Sequence, residues 1–275
     1  MASVLAQVFT DIVMEKYRDG NAAVLAELTP FDHLVQYNKI NLTEIGSDPS
    51  VVVDNTTWPL TPAQRTDTGI DISLATFDTV PTHITNVEEL ETNYDKAKSV
   101  LNQHVQAILA KATQSALYNI APAGTANVIE TKATSIKYND ILALRTQFNK
   151  ANLPEDGRVL ILAPDHEEAL LAEDADRYNQ MMTSGKLAGF KVLTSTGLPT
   201  YTAKAKLSVG DSSGKTASIA FLKSEVMRAM GDIDVRTEDR WADYRGWLIG
   251  AQMRFVALPI KTTAVFALVD KTTGA

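Results

Sequence analysis

The chain contains no cysteine among its 275 residues. Disulfides, thiolate zinc sites, iron–sulfur clusters and cysteine nucleophiles are therefore all excluded, and stability must come from packing and association. It also lacks any apolar run of the roughly 18 residues that a spanning helix needs. The most apolar region, Trp247 to Val269, is broken by Arg254, Pro259 and Lys261. At the N-terminus, Asp11 and Glu15 interrupt the early apolar pattern, so the order of segments that makes a signal peptide is missing and synthesis ending in the cytoplasm is expected. Finally there is no run of Lys or Arg: 26 basic and 33 acidic residues are interspersed, for a net charge of -7. Tight phosphate binding needs a concentrated basic surface, so nucleic acid can lie nearby without being gripped.

Motifs that carry chemistry are equally scarce. Gly210-Asp-Ser-Ser-Gly214-Lys215-Thr216 resembles a phosphate-binding P-loop, but three residues separate the glycines where that motif needs four. It also needs a helix after the Thr, so that amide groups face the phosphates, whereas Ala217 to Leu222 reads as a strand. A turn between strands, in a hairpin from Leu207 to Leu222, is the better reading. Of the four histidines, His33, His83, His104 and His166, only the last has close acidic company, in Asp165, Glu167 and Glu168. The second His of a metalloprotease helix is missing, so a solvated helix start is expected at His166. Glu173, Asp174 and Asp176 lack EF-hand spacing, and no Gly-x-Ser-x-Gly elbow or distinctive carboxylate pair is present. No residue is assigned to catalysis, a cofactor or a metal, and an enzyme has no motif in its favour.

What the chain does have is length, a large apolar fraction and an extended arm. At 29.9 kDa and 45% hydrophobic residues it can bury a core in one or two domains. Ser3 to Tyr17 has helical spacing, Ala22 to Leu28 is periodic up to Thr29-Pro30, and His33 to Ile40 is apolar but less regular. From Gly46 to Thr85 the texture changes: Thr, Asp and Pro dominate and Lys is absent. Val51 to Val53 form a β-branched patch, and Ile70, Ile72 and Leu74 alternate with smaller or polar residues, which predicts two strands around a long turn. Such a hairpin would reach roughly 60 Å, too far to be buried in its own domain. An arm of this kind needs neighbours. Trp58, Val51, Val53, Ile70, Ile72 and Leu74 are then the candidate contacts with another subunit, with Trp58 folding back onto its own domain as the alternative.

A long amphipathic helix follows, from about Val87 to Ile120. Thr85 with Glu88, or Asn86 with Glu89, offers a capping box. Val87, Leu90, Tyr94, Ala97, Leu101, Val105, Ile108 and Ala112 make one apolar face, and Pro122 and Gly124 force a stop. Near Ser135 an α/β alternation begins. A short helix over Tyr138 to Phe148, a continuous apolar strand Arg158 to Leu162, a helix opened by Pro164, and a strand Phe190 to Leu193 follow one another. The last residues return to strands over Ile233 to Thr237, Trp247 to Leu258 and Thr262 to Val269. The fold class is α+β.

That order of parts resembles the Hong Kong 97-type major capsid protein of tailed phages. The echoes are Val87-Glu-Glu-Leu90, Arg158-Val-Leu-Ile-Leu-Ala-Pro164, Gly185-Lys-Leu-Ala-Gly189-Phe-Lys-Val192 with Leu198-Pro199 after it, and Ala217-Ser-Ile-Ala-Phe221. The resemblance covers nearly the whole chain. It implies an N-terminal arm over 1–45, an extended E-loop over 46–85, a spine helix and first part of a peripheral domain over 86–134, an axial domain over 135–230, and returning peripheral strands over 231–275. It further implies pentamers and hexamers that close into an icosahedral head around double-stranded DNA, assembled in the host cytoplasm and found in the virion. Portal, scaffolding and decoration proteins are the implied partners, with no membrane.

Two departures shape the expectation. Some family members weld subunits through an E-loop lysine, but Asn41 to Asp95 holds none, so closure without that bond, or with a decoration protein, is expected. The chain also begins near its first arm helix, so a separate scaffolding protein or a removed region is expected. The nearest rival is an encapsulin shell enclosing cargo enzymes. The rival from another class is a nucleotide-binding enzyme using Lys215 and Thr216.

Overall fold

The computed structural model describes residues 23–36, 38–44, 51, 53–56, 58, 68–85, 96–241 and 246–271. The helix expected over Ser3 to Tyr17, most of the arm's tip, and the capping residues Asn86, Glu88 and Glu89 lie outside them. In chain order the described elements begin with a short helix α1 (Ala23–Ala26), followed by strands β1 (Thr29–Pro30), β2 (Val35–Gln36), β3 (Lys39–Glu44), β4 (Thr68–Ser73), β5 (Ala75–Asp78) and β6 (Thr82–Thr85). The long helix α2 (Lys96–Ile120) precedes β7 (Val128–Glu130), α3 (Tyr138–Lys150), β8 (Arg158–Leu162), α4 (Pro164–Glu173) and α5 (Ala175–Ser184). Then come β9 (Lys186–Leu187), β10 (Phe190–Thr194), β11 (Thr200–Thr202), β12 (Ala205–Lys206), β13 (Lys215–Thr216), β14 (Ser218–Leu222), β15 (Val226–Trp241), β16 (Gly246–Pro259) and β17 (Val265–Val269).

A six-stranded sheet ordered β7-β17-β14-β8-β10-β9 lies at the centre. Its inner strands are covered on both faces, which is why they read as unbroken apolar runs and not as alternating ones. Val159 and Ile161 of β8, with Ile219 and Phe221 of β14, face a cluster built on α2. Leu160, Leu162 and Ala220 face the opposite way, onto Ile141, Leu144 and Phe148 of α3, Leu170 of α4 and Met181 of α5. One pleat thus serves two cores. The helix α2 buries Leu101, Val105, Ile108, Ala112, Ala116 and Leu117 and stops at Ile120, just before Pro122, whose ring cannot continue it.

The second sheet is built on the long antiparallel pair β15 and β16, with β1 on one edge and β5 and β6 both pairing with β16. Met253, Phe255 and Ala257 of β16 pack into the same cluster as α2, together with Val24, Leu25 and Leu28 near the start of the chain. The stretch around α1 is therefore ordinary core of its own subunit.

Three expectations change in the structure. The strand opposite Ile70 and Ile72 is not Val51–Val53 but β3, in register Ile40 opposite Ile72 and Leu42 opposite Ile70. Lys-Ile-Asn-Leu-Thr-Glu has the period-two alternation a paired strand needs, while three adjacent valines supply only propensity. The Leu207–Leu222 hairpin does not form either. Instead β11 takes β12 on one side and β13 on the other, and β14 goes into the central sheet. Burial of all five β14 residues outweighs the local turn. Lastly, Thr262–Ala264 is a single 3-10 turn, so the final strand starts only at Val265 and joins β14 and β7.

Candidate interaction surface

The site-like motifs dissolve into packing. His166, expected at a solvated helix start, is 1% exposed. Its Nδ1 lies 2.6 Å from Ser218 Oγ, which accepts the Ala163 N–H at 3.0 Å, and its Nε2 lies 3.5 Å from Asp270 Oδ2. A Ser hydroxyl carries one proton and two lone pairs, so Oγ accepts the Ala163 N–H and still shares a hydrogen bond with Nδ1, in a direction set by the imidazole tautomer. Ser, His and Asp in a row invite a hydrolase reading, but Ser218 is completely buried. No substrate reaches it, and the relay ties β14, the start of α4 and the end of β17 together. The acidic cluster has the same kind of explanation. Asp174 Oδ1 accepts the N–H groups of Asp176 and Arg177 as the N-cap of α5, and Glu173 Oε2 accepts the Tyr138 N–H at the start of α3. Among the described residues no group of three or more acidic or histidine side chains is arranged to hold a metal. Nor is any helix among them long and apolar enough to cross a membrane.

The P-loop look-alike has a packing reason as well. A Cβ on Gly214 would run into the Tyr201 carbonyl oxygen and lie 2.7 Å from Leu207 Cδ1. Gly214 is small because β11 crosses it, not because a phosphate does. Gly214→Ala is expected to cost about 1–3 kcal/mol of stability in urea unfolding. Lys215→Ala should stay within about 0.5 kcal/mol of the parent. A loss of stability for Lys215→Ala as large as for Gly214→Ala would contradict this account.

The remaining feature that a solitary subunit does not explain is exposed apolar surface. Val51 is 87% exposed, Val53 78% and Trp58 76%. They lie in the loop carried out by the β3–β4 hairpin, and Asp54 turns the backbone there with φ of 52°. The other arm candidates differ. Ile72 is partly buried and Leu74 only 4% exposed, both against Ile40, Ala229 and Val256. The subunit's own core occupies Leu74, which leaves it nothing to offer a neighbour; of Ile70 the structure gives the pairing with Leu42. Val80, 85% exposed in the turn between β5 and β6, was not singled out by the sequence, although a valine set between Thr79 and Pro81 in a turn is the available signal.

Two polar groups, the half-buried Lys206 and the buried His104, line cavities beside the long helix. Lys206 donates from Nζ to the carbonyls of Tyr118 and Ala121 at 2.5 and 2.9 Å, and lies 4.0 Å from the centre of the Tyr118 ring. It caps the negative end of α2. Burial pushes its amine down to about 8, so the group is still a cation at neutral pH. His104, on the buried face of α2, borders a cleft of about 340 Å³ with Phe77, Asp78 and Thr82, and burial lowers its pKa. Neither environment is visible in sequence spacing, because the groups around each side chain include ones far away in the chain.

Comparison with known proteins supplies the context for this surface. Residues 82–268 match a family model described as phage capsid protein. The capsid of a native GTA particle superposes with a TM-score of 0.70 at 13% identity, over 92% of this chain and 91% of that one. Microbacterium phage Oxtober96 gives 0.67 at 13% identity, over 90% and 91%. An encapsulin complex from Synechococcus elongatus gives 0.62 at 13% identity, over 90% and 86%. No curated protein matches the sequence.

Proposed function

The chain belongs to the phage capsid protein family, and from that premise we propose that it is a major capsid subunit that assembles as pentamers and hexamers into an icosahedral head around double-stranded DNA. The observation that carries the reading is the arm. Its Val51, Val53 and Trp58 are each more than three-quarters exposed, and neighbouring exposed apolar groups of this kind mark an interaction site. The role is mechanical: a mixed α+β body supplies rigidity, and the arm supplies contact with the next subunit. In this reading β3, β4 and the loop between them are the E-loop, α2 is the spine, the β15–β16 sheet is peripheral, and the six-stranded sheet with α3, α4 and α5 is axial.

The charge fits containment of DNA. At net -7 with no basic run, an inner wall would touch packaged DNA weakly and let it slide during filling. A lysine-free stretch from Asn41 to Asp95 favours closure by non-covalent contacts, by decoration protein, or both. Portal and scaffolding proteins complete the expected set of partners, and the mature location is the virion. An encapsulin-type compartment shares the fold and differs in what it holds.

Negative-stain electron microscopy of the recombinant full chain, alone and with its genomic neighbours, tests this. Closed shells or hexamer sheets are expected. Monomers or small oligomers under both conditions would overturn the lattice reading, and shells that hold a folded enzyme cargo in place of DNA would move the chain to the encapsulins.

A further inference from the structure

We propose that the cavity at the C-terminal end of α2 is a binding site for a long-chain carboxylate, the alkyl tail lying on its aliphatic wall and the carboxylate meeting Lys206 and Lys261. The site is separate from the capsid role and does not depend on it. The cavity measures about 970 Å³, at the upper end of the roughly 300–1,000 Å³ typical of small-molecule sites. Ile72 of β4, Ile120 of α2, Met227 of β15, Leu258 of β16 and Val265 of β17 supply the wall. Ile120, Met227 and Val265 are each 1% exposed, so the core behind them holds the wall in place before any ligand arrives. Asn127 donates from Nδ2 to the Thr262 carbonyl at 2.6 Å, which ties two of the lining segments together.

The class of ligand follows from what the lining offers. Among its described residues there are two ammonium groups, no carboxylate, no arginine and no aromatic ring. A nucleotide base therefore has nothing to stack on, and a phosphate has no bidentate fork to meet it. An alkyl chain needs neither, since each methylene taken out of water onto an aliphatic wall adds to affinity.

The two lysines supply the charge that such a tail leaves unsatisfied at its head. Lys206 donates to the carbonyls of Tyr118 and Ala121, so one of its three donors remains for a ligand. Burial alone pulls its amine down to about 8, with no carboxylate acting in the other direction. A desolvated ammonium without a counter-charge gains from an anion brought beside it. Lys261 is exposed and meets Glu225 only at 4.0 Å. It follows Ile260, which is 44% exposed, so this side of the cavity is where a carboxylate can stay partly in water while its tail goes in.

The test is a fluorescence titration of the full-length protein, in the assembly state it adopts, with cis-parinaric acid as the probe. Saturation at one probe per chain and displacement by oleate are expected. Oleyl alcohol, which has the same tail and no charge, should displace the probe roughly tenfold less well. Lys261→Gln should weaken binding roughly threefold, and Lys206→Met combined with it roughly tenfold. Because Lys206 also caps α2, Lys206→Arg is the control: it keeps the cation and should keep binding. Ala126→Trp, at an exposed position in the lining, should block the probe without moving the melting temperature. Absence of saturable binding, equal displacement by acid and alcohol, or full binding by Ala126→Trp would overturn the proposal. Binding by dissociated subunits that is lost in assembled shells would overturn it too, by giving the cavity to a neighbouring copy. Failure of any of these leaves the capsid reading standing, and failure to form shells leaves the titration readable on the subunit.

Discussion

Replacing Val51, Val53 and Trp58 together by serine is expected to abolish shell formation while leaving the isolated subunit's unfolding free energy within about 0.5 kcal/mol of the parent. The two halves of that result have separate causes. The three side chains are 87%, 78% and 76% exposed, so folding buries almost none of their surface and their loss costs the subunit almost nothing. At an interface the same groups act as anchors, where truncating a buried Trp typically costs about 2 kcal/mol or more. Thermal melting of the dissociated subunit and electron microscopy of the assembly reaction check the two halves. Leu74→Ser is the instructive contrast: at 4% exposure against Ile40 and Val256 it should fail by losing subunit stability first. Normal shells from the triple variant would remove the arm from the assembly account.

How much of this the sequence discloses depends on whether the physics is local. Burial on both faces leaves continuous apolar runs, and Arg158–Leu162 was readable as a strand for that reason. Pro164 at the first turn of α4 and Pro122 after α2 mark helix ends by stereochemistry that no context overrides. Pairing partners are a different matter. Nothing in Val265–Val269 says that it lies between β7 and β14, and nothing in Lys39–Glu44 says that it faces Thr68–Ser73, because register is decided by which faces are buried. Ser218 and His166 are 52 positions apart, and their contact exists only because β14 runs beside the start of α4. His166 was misread for the same reason: its acidic neighbours Asp165 and Glu168 face water while its own side chain turns inward.

The candidate site divides along the same line. For Trp58, in a stretch rich in Thr, Asp and Pro, the sequence leaves open both a contact with another subunit and a fold back onto its own domain; the structure leaves its side chain 76% exposed. The cavity at the C-terminal end of α2 could not be inferred. Its wall gathers the end of α2, the loop after it, Lys206, and the turn after β16, segments far apart in the sequence. Each lysine in it looks like any surface lysine until the structure shows Lys206 seated on the carbonyls of Tyr118 and Ala121.

Phe148→Ala should be the most damaging truncation on the far face of the central sheet, costing about 3–5 kcal/mol. Phe148 is completely buried, and its ring centre lies 5.1 Å from that of Phe190 at 81° and 5.0 Å from that of Phe266 at 49°. Such edge-on and tilted pairs add about 0.5–1.5 kcal/mol each beyond the area they bury. Phe148 also lies under the guanidinium of Arg158, 5.4 Å from the ring centre, and that side chain is fixed by donating to the carbonyls of Leu153 and Pro154 at 2.7 Å each. Removing the ring therefore opens a void between α3, β10 and β17 and withdraws the cation's apolar support. Phe148→Leu keeps most of the volume and should cost about 1.5 kcal/mol or less. Against a total stability of about 5–15 kcal/mol, the alanine variant alone should deplete the pool of folded protein. Urea unfolding of both variants decides it: a loss below about 1 kcal/mol for Phe148→Ala would mean that the helices on this face of the sheet pack without a specific core.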